Sequence, residues 1–172
     1  TPLRKAVIQN KADMGFAFDG DADRMLAVDE KGQVLNGDHV LYLWGSALDE
    51  QKLLPDRRLV ATIMSNLGFE RAWIAKGGLL ERTQVGDQNV YKAMISTNAG
   101  LGGEQSGHIL SAAHGLSGDG LLSAIHLAAL CVSKKLTLSH LLDQSFKPFP
   151  QRLVNVLVPN QNLRKSWTSC EP

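Results

Sequence analysis

The sequence predicts an α/β protein in which mixed or mostly parallel sheets are flanked by helices. Short apolar runs alternate with amphipathic helical runs, most regularly between residues 59 and 95. Turns rich in Gly, Asp and Pro separate these runs. The 172 residues are 44% hydrophobic and 20% charged, as in ordinary globular domains, and can bury one good core or two small ones. Alternation of this kind favours a mostly parallel sheet in the second half of the chain.

The first fifty residues predict two strands around a polar loop, with a helix on either side. The predicted elements are a helix at 3–9, strands at 12–18 and 25–28, and a helix at 39–48. The polar loop is formed by residues 19–24, and Gly32 marks a turn. Asp38 precedes the second helix and is its predicted N-cap. We expect these elements to form a βαβ-type layer.

A domain boundary is predicted at residues 49–57, where the composition becomes charged and Pro55 cannot continue a helix. Beyond it, strands and helices alternate. The predicted elements are a strand at 59–64, a helix at 66–75 capped by Ser65, a strand at 79–84, a helix at 87–95, short strands before 102–103 and at 108–111, a helix at 119–133 capped by Ser117 or Asp119, a short helix after Thr137 or Ser139, and an edge strand at 152–158.

The net charge limits the partners that we expect, and the cysteines indicate the compartment. With 18 basic and 17 acidic residues, the net charge of +1 provides no general field for nucleic acid or for an acidic membrane surface, so we expect neither partner. No apolar run approaches the roughly 18 residues of a membrane span. Cys131 and Cys170 show no metal-ligand or disulfide spacing. We therefore expect a reducing compartment, the cytoplasm, and the pattern at both ends predicts an internal piece of a longer chain.

The acidic loop is the first candidate site. Asp19, Asp21 and Asp23 are spaced two residues apart between apolar strands. If the three carboxylates converge to about 4 Å, each pair repels by about 4 kcal/mol at an effective dielectric constant near 20, so convergence demands a cation. Oxygen ligands favour Mg²⁺, and Arg24 offers a forked donor for a phosphate. The spacing alone leaves a solvated turn equally open.

Two other readings of the loop compete. An EF-hand loop also begins with alternating acids, but Arg24 occupies the position of its obligatory Gly and the flanks are strands, which excludes it. A Mg²⁺-dependent aspartyl-nucleophile phosphatase would use Asp19 as nucleophile and Asp21 as general acid. Asp23 departs from that pattern, yet the phosphatase stays open as the alternative function.

Two motifs together resemble the α-D-phosphohexomutase superfamily. Residues 19–24, Asp-Gly-Asp-Ala-Asp-Arg, resemble its metal loop, and residues 102–108, Gly-Gly-Glu-Gln-Ser-Gly-His, resemble its sugar-binding loop. Three further motifs follow the order found in the phosphoglucosamine mutases of this superfamily: Leu67-Gly68-Phe69, Val85-Gly86-Asp87 and Gly118-Asp119-Gly120. Gln105 in the second motif also resembles the phosphoglucosamine mutases. Phosphoglucomutases and phosphomannomutases, the alternatives within the superfamily, more often carry Met at this position.

The resemblance implies a domain plan and a set of roles. Residues 1–50 would be the later part of the metal-binding second domain, 51–150 the sugar-binding third domain, and 151–172 the linker to a fourth domain or its truncated start. Mg²⁺ would be held by Asp19, Asp21 and Asp23, with Arg24 in contact with phosphate. The sugar phosphate would be held by Gly103, Glu104, Ser106 and His108. The implied partners are a hexosamine phosphate, its 1,6-bisphosphate intermediate and the remaining domains of the parent chain.

The resemblance also implies a phosphoserine that exchanges its phosphoryl group between glucosamine 6-phosphate and glucosamine 1-phosphate. The Ser-His-Asn-Pro type of loop that supplies this serine does not occur in the 172 residues. Gln84 and Gln88 also stand where many phosphoglucosamine mutases carry basic residues, and Asp87 has a simpler explanation as a helix cap. We therefore expect the chain alone to bind Mg²⁺ weakly and to turn nothing over.

Overall fold

The structure is a computed structural model that describes residues 1–154. Within these residues, seven strands that form two sheets are interspersed with six α-helices. The strands are β1 (Met14–Phe18), β2 (Met25–Asp29), β3 (Val34–Leu35), β4 (Arg58–Thr62), β5 (Leu79–Thr83), β6 (Leu101–Gly103) and β7 (Ile109–Ser111). The helices are α1 (Pro2–Asn10), α2 (Gly37–Glu50), α3 (Leu67–Ala75), α4 (Asp87–Thr97), α5 (Gly120–Lys134) and α6 (Leu138–Asp143).

The first sheet is antiparallel, with the strand order β1-β2-β3. The predicted βαβ-type layer is therefore wrong, and the two-residue β3 was not predicted. The turn between β2 and β3 is too short for a crossover helix, which a parallel connection needs. Asp29 stabilises this turn, because its Oδ1 accepts hydrogen bonds from the backbone N–H groups of Lys31 and Gln33 at 3.0 and 2.7 Å.

The second sheet has the order β5-β4-β6-β7 and confirms the mostly parallel prediction. β4 pairs in parallel with β5 and β6, and only β7 is antiparallel. The central strand β4 contains Leu59, Val60 and Ala61, all of which are fully buried, as expected of a strand covered on both faces. The loops that follow β5 and β6 therefore lie together at the carboxyl edge of this sheet.

Helix α2 lies between the two sheets and shares in one continuous core. Its first nine residues are all buried, which is typical of a helix with packed neighbours on every side. Full burial of one side chain such as Phe69 contributes about 2 kcal/mol. The core includes residues of both sheets and of several helices: Met25, Leu35, Leu41, Trp44, Leu59, Phe69, Trp73, Leu101, Leu127, Leu138 and Phe146.

Helix ends correct several predictions. The N-cap of α2 is Asn36 rather than Asp38, since Asn36 forms a capping box with His39. The N-cap of α3 is Asn66 rather than Ser65. Helix α2 also extends to Glu50, into the segment predicted as a boundary.

Other cap predictions hold. Asp119 caps α5 and Thr137 caps α6, each through a hydrogen bond to a backbone N–H of the first turn.

The predicted edge strand at 152–158 begins in the last described residues. Residues 152–154 are not a strand, and the rest of the predicted strand lies outside the described residues. Cys131 is a buried free thiol, and Cys170 is likewise outside the described residues. Within residues 1–154, none of the helices has the length and apolar character needed to cross a membrane.

Candidate functional site

The acidic loop connects two antiparallel strands of the first sheet and brings its three carboxylates together. One oxygen from each of Asp19, Asp21 and Asp23 lies within 4.8 Å of the others. The loop is tight: the N–H of Ala22 donates to the carbonyl of Asp19 at 3.3 Å, and Ala22 has a left-handed φ of 58°. A non-Gly residue in this conformation is strained, which is a frequent property of ligand-binding loops.

The residues present fit a magnesium ion. Oδ1 of Asp23 is buried and has no hydrogen-bond partner among the described residues, although a buried carboxylate oxygen normally has one. Asp19 and Asp21 are exposed, so their oxygens are accessible to an ion. Three carboxylates without nitrogen or sulfur donors form the hard oxygen set that Mg²⁺ prefers.

Arg24 ends the acidic loop and remains accessible. Its guanidinium Nε lies 3.8 Å from Oδ2 of Asp19, and its side chain is 53% exposed. Its backbone N–H donates to Oδ1 of Asp19 at 3.3 Å, which helps to orient that carboxylate. An exposed guanidinium beside a metal-binding loop keeps free N–H donors for a phosphate.

The second predicted motif forms the turn between β6 and β7. The N–H of Glu104 donates to the carbonyl of His108 at 2.9 Å, and the N–H of Gly107 donates to the carbonyl of Glu104 at 3.0 Å. Gly107 has a φ of 98°, and a Cβ there would lie 2.1 Å from the carbonyl oxygen of Met25. Gly103 is equally restricted, since its Cβ would lie 2.5 Å from the carbonyl oxygen of His108. Glycine is therefore required at both positions.

Glu104 and Ser106 present polar atoms on this turn. Oε1 of Glu104 accepts a hydrogen bond from the backbone N–H of Gly86 at 2.9 Å, and Oε2 lies 3.3 Å from the hydroxyl of Ser106. These two bonds orient the carboxylate and leave lone pairs on both oxygens for ligand hydroxyls. Ser106 itself is exposed.

His108 joins the two loops into one site. Its Nδ1 lies 2.9 Å from Oδ2 of Asp23, and an isolated antiparallel bridge pairs it with Arg24. The ring is buried against Gly118, where a Cβ would lie 2.2 Å from ring atom Cε1. Because a carboxylate only accepts hydrogen bonds, Nδ1 is the donor in this contact, which leaves Nε2 as the second ring nitrogen.

Two of the three further motifs reach the same place. The N–H of Gly120 donates to the carbonyl of Ala22 at 2.9 Å, which places the start of α5 against the acidic loop. The backbone N–H of Gly86 donates to Oε1 of Glu104, so the loop after β5 reaches the turn between β6 and β7, the predicted sugar-binding turn. The prediction that Asp87 caps α4 is wrong. Gly86 occupies that position, and the Asp87 carboxylate accepts from the N–H of Gln88.

A cleft of about 560 Å³ opens beside His108 and Asp23. Four of its wall residues belong to the first turns of α4: Asp87, Gln88, Tyr91 and Lys92. Sequence reasoning missed Tyr91 and Lys92, although their helical spacing of four from Asp87 and Gln88 places all four on one face. Gln84 does not line the cleft wall. The cleft is of the size that holds small ligands.

Comparison with known proteins identifies the family. Residues 36–149 match the family model of phosphoglucomutase/phosphomannomutase, alpha/beta/alpha domain III. The chain belongs to this family.

Phosphoglucosamine mutases are among the curated relatives of this phosphohexomutase chain. It is 65% identical over 171 residues to that of Synechococcus sp. (strain CC9902), covering 99% of this chain and 37% of the relative. It is 67% identical over 171 residues to that of Prochlorococcus marinus (strain MIT 9303), covering 99% of this chain and 36% of the relative. The chain therefore spans little more than a third of the length of these relatives.

Solved structures share the fold. A phosphoglucomutase/phosphomannomutase family protein from Burkholderia thailandensis superposes with a TM-score of 0.72 at 26% identity, covering 83% of this chain and 31% of that one. The Aspergillus fumigatus N-acetylphosphoglucosamine mutase in complex with glucose 1,6-bisphosphate superposes with a TM-score of 0.72 at 19% identity, covering 87% of this chain and 36% of that one. These similarities confirm the α/β fragment of a multidomain phosphohexomutase that the sequence predicts. They give no support to the aspartyl-nucleophile phosphatase.

Proposed function

We propose that this chain supplies the metal-binding and sugar-binding parts of a phosphoglucosamine mutase. The complete protein would interconvert glucosamine 6-phosphate and glucosamine 1-phosphate through a phosphoserine and a 1,6-bisphosphate intermediate. The identities of 65% and 67% with phosphoglucosamine mutases support this substrate over glucose or mannose phosphates. The chain contains no Ser-His-Asn-Pro loop, so we expect it to turn nothing over by itself.

One observation carries the proposal. The hydrogen bond of 2.9 Å between His108 and Asp23 joins two motifs that are 85 residues apart in the sequence. A metal loop that lies beside the transferring phosphoryl group and a turn that holds the sugar must lie together if the reacting hydroxyl is to meet the phosphorus. The solvated-turn interpretation of residues 19–24 offers no reason for this contact.

The proposed roles follow from position. Asp19, Asp21 and Asp23 would hold Mg²⁺, and Arg24 would contact the phosphate. Glu104 and Ser106 would bind sugar hydroxyls, with Gly103 and Gly107 permitting close approach of the ring. When bound, Mg²⁺ would supply positive charge that offsets the charge of the transferring phosphoryl group.

His108 would act on the proton of the reacting hydroxyl. Oδ2 of Asp23 occupies Nδ1, so Nε2 would be the ring nitrogen that takes part in the reaction. During transfer, a bond forms between the sugar oxygen and phosphorus while the bond from phosphorus to the serine oxygen of the parent protein breaks. The hydroxyl proton passes to Nε2 of His108. Positioning and electrostatics supply the remainder of the catalysis, as is usual for phosphoryl transfer.

Phosphorus NMR on the complete protein that carries this sequence tests the proposal. The assay contains Mg²⁺ and glucose 1,6-bisphosphate as primer, with glucosamine 6-phosphate or glucose 6-phosphate supplied separately. We expect faster conversion of the glucosamine compound to its 1-phosphate. Glu104→Gln should lower turnover at least about 100-fold, since charged acceptors form the stronger hydrogen bonds. The matched control is Glu81→Gln, which changes an exposed carboxylate on β5 away from the cleft.

The other outcomes are distinct. Preference for glucose 6-phosphate would move the assignment to a phosphoglucomutase within the same family. Release of inorganic phosphate without isomerisation would contradict the proposal and favour the phosphatase alternative. In that event Asp19→Asn should abolish the release, because Asp19 would be the nucleophile.

The predicted domain division and location remain proposals. We assign residues 1–50 to a metal-binding domain, 51–150 to a sugar-binding domain and 151–172 to a linker or the truncated start of a fourth domain. Helix α2 of the first unit shares one core with Leu59 and Phe69 of the second, which supports the two units folding together. A cytoplasmic location is supported by the free thiol of Cys131.

A further inference from the structure

Asp38 is a buried carboxylate directly beneath the sugar-binding turn. Its relative exposure is 0%, and its Oδ2 accepts a hydrogen bond from Nε2 of Gln105 at 3.1 Å. The same oxygen accepts from the backbone N–H of Asn66 at 2.8 Å. Its other oxygen, Oδ1, is buried without a partner among the described residues. Asp38 thus connects the turn to the N-terminus of α3.

The backbone at the start of α2 holds the same turn. The N–H of Gly37 donates to the carbonyl of Gln105 at 3.0 Å. A Cβ on Gly37 would lie 1.9 Å from the carbonyl oxygen of Glu104, so the helix and the turn are in direct backbone contact. Two hydrogen bonds therefore fix Gln105. Its backbone carbonyl accepts from the N–H of Gly37, and its side-chain amide donates to Asp38.

Keeping a carboxylate at this place is costly for stability. Burial raises the pKa of Asp38, and hydrogen bonds from Asn66 and Gln105 offset only part of this effect. An uncharged side chain would fill the space under the turn at lower cost. The two donors that converge on Oδ2 explain what the carboxylate contributes, which is a strong acceptor that an apolar residue lacks.

The network continues to the chain beyond α6. Nδ2 of Asn66 donates to the carbonyl of Phe149 at 2.8 Å, and the N–H of Phe149 donates to Oδ1 of Asn66 at 2.9 Å. Nε2 of Gln105 also lies 3.1 Å from Oε1 of Gln151. The sugar-binding turn, α3 and the segment 149–151 are thus linked through Asp38, Asn66 and Gln105.

We propose that Asp38 is a positioning residue that holds the sugar-binding turn in its ligand-binding conformation through Gln105. The effect on sugar phosphate rests on the proposed function, whereas the effect on the turn itself does not. Asp38 touches no substrate in this scheme. It acts through Gln105, whose neighbours Glu104 and Ser106 carry the polar atoms that would bind the sugar.

Hydrogen–deuterium exchange on the complete protein tests the positioning role without ligand. The amides of Glu104 and Gly107 are hydrogen-bonded within the turn and should be protected. Gln105→Ala and Asp38→Ala should each accelerate their exchange at least about tenfold, because each removes a hydrogen bond to a charged group. The double variant should add little to either single change, since both break the same link. Additive effects, or no effect of Gln105→Ala, would overturn the proposal.

Binding separates positioning from general loss of structure. In calorimetry with glucosamine 6-phosphate, Gln105→Ala should weaken affinity about tenfold while Mg²⁺ affinity is unchanged. Asp38→Asn keeps an acceptor oxygen and should restore most of the affinity that Asp38→Ala loses. Equal weakening of Mg²⁺ and sugar phosphate would show a merely structural role and refute the positioning role.

Two further variants keep the test decisive. If Asp38→Ala fails to fold, Gln105→Glu replaces it: a second carboxylate opposite Asp38 should accelerate exchange more than Gln105→Ala does, and equal rates would overturn the proposal. The control is Gln9→Ala in α1, an exposed side chain away from the site. Failure of the wild-type protein to bind any sugar phosphate would refute the proposed function, while the exchange of the turn would still decide the role of Asp38.

Discussion

A single methyl group at Gly37 should displace the sugar-binding turn. In Gly37→Ala, the added Cβ would lie 1.9 Å from the carbonyl oxygen of Glu104 and 2.8 Å from the N–H nitrogen of Gly107. Real Cβ contacts are essentially never below 3.0 Å, so the turn and the helix must separate by about 1 Å. Both neighbours are backbone atoms, which cannot rotate away as a flexible side chain can.

The expected magnitudes follow from this displacement. Overpacking of a tight contact costs about 1 to 3 kcal/mol. The better helix propensity of Ala offsets at most about 1 kcal/mol of this, and less at the first position of a helix. A shift of about 1 Å in a binding group commonly lowers activity by about 100-fold. We therefore expect Gly37→Ala to lose about 1 to 2 kcal/mol of unfolding free energy and 10- to 100-fold in sugar-phosphate affinity, by the same reasoning.

Urea unfolding and calorimetry measure both quantities. Gly45→Ala is the matched control because it lies in the same helix, and its Cβ would meet only side-chain atoms of Leu59, the nearest at 3.0 Å. The control should change stability by less than about 1 kcal/mol and leave binding intact. Wild-type affinity and stability in Gly37→Ala would refute the close contact between α2 and the turn.

Three other changes test separate features. Ala22→Gly should raise the unfolding free energy by about 1 kcal/mol in urea titrations, because Gly relieves the left-handed conformation at φ 58°; a loss of stability would contradict that loop conformation. Asp21→Asn should weaken Mg²⁺ binding at least about tenfold in calorimetry, while equal affinity would exclude Asp21 as a ligand. Burial lowers the pKa of His39 from 6.5 to about 4, so the unfolded chain binds a proton that the folded chain excludes as pH falls through this window. His39 should therefore leave the free energy of unfolding unchanged above pH 7 and lower it by about 2 kcal/mol at pH 5. If His39→Gln has the same pH dependence of unfolding as the wild type, His39 is not its cause.

Much of the fold was predictable because its periodicity is strong. The buried run in β4 and the apolar face of α5 gave elements whose limits agree with the structure to within two residues. The strand β3 was missed because two residues carry no periodic signal. The cap of α2 was misassigned because Asn36 and Asp38 are both good N-cap residues, and only the backbone conformation distinguishes them.

The site was predictable only as separate motifs. The spacing of the acids left a metal site and a solvated turn equally open, and the resemblance named both the metal loop and the sugar-binding turn. The contact between His108 and Asp23 depends on how two sheets pack around α2, which no local pattern records. Asp38 was interpreted as a cap because a carboxylate before a helical run has that simple explanation, and its burial under Gln105 is a tertiary property.

Paramagnetic relaxation by Mn²⁺ tests most directly whether the metal loop and the sugar-binding turn form one site. Mn²⁺ takes the same oxygen ligands as Mg²⁺ and broadens NMR signals of nearby nuclei. We predict that one equivalent, added to the complete protein, broadens the His108 ring and Gly107 amide signals and the phosphorus signal of bound glucosamine 6-phosphate. Asp21→Asn and excess Mg²⁺ should each abolish the broadening. Sharp His108 and phosphorus signals in the presence of bound Mn²⁺ would contradict a single shared site.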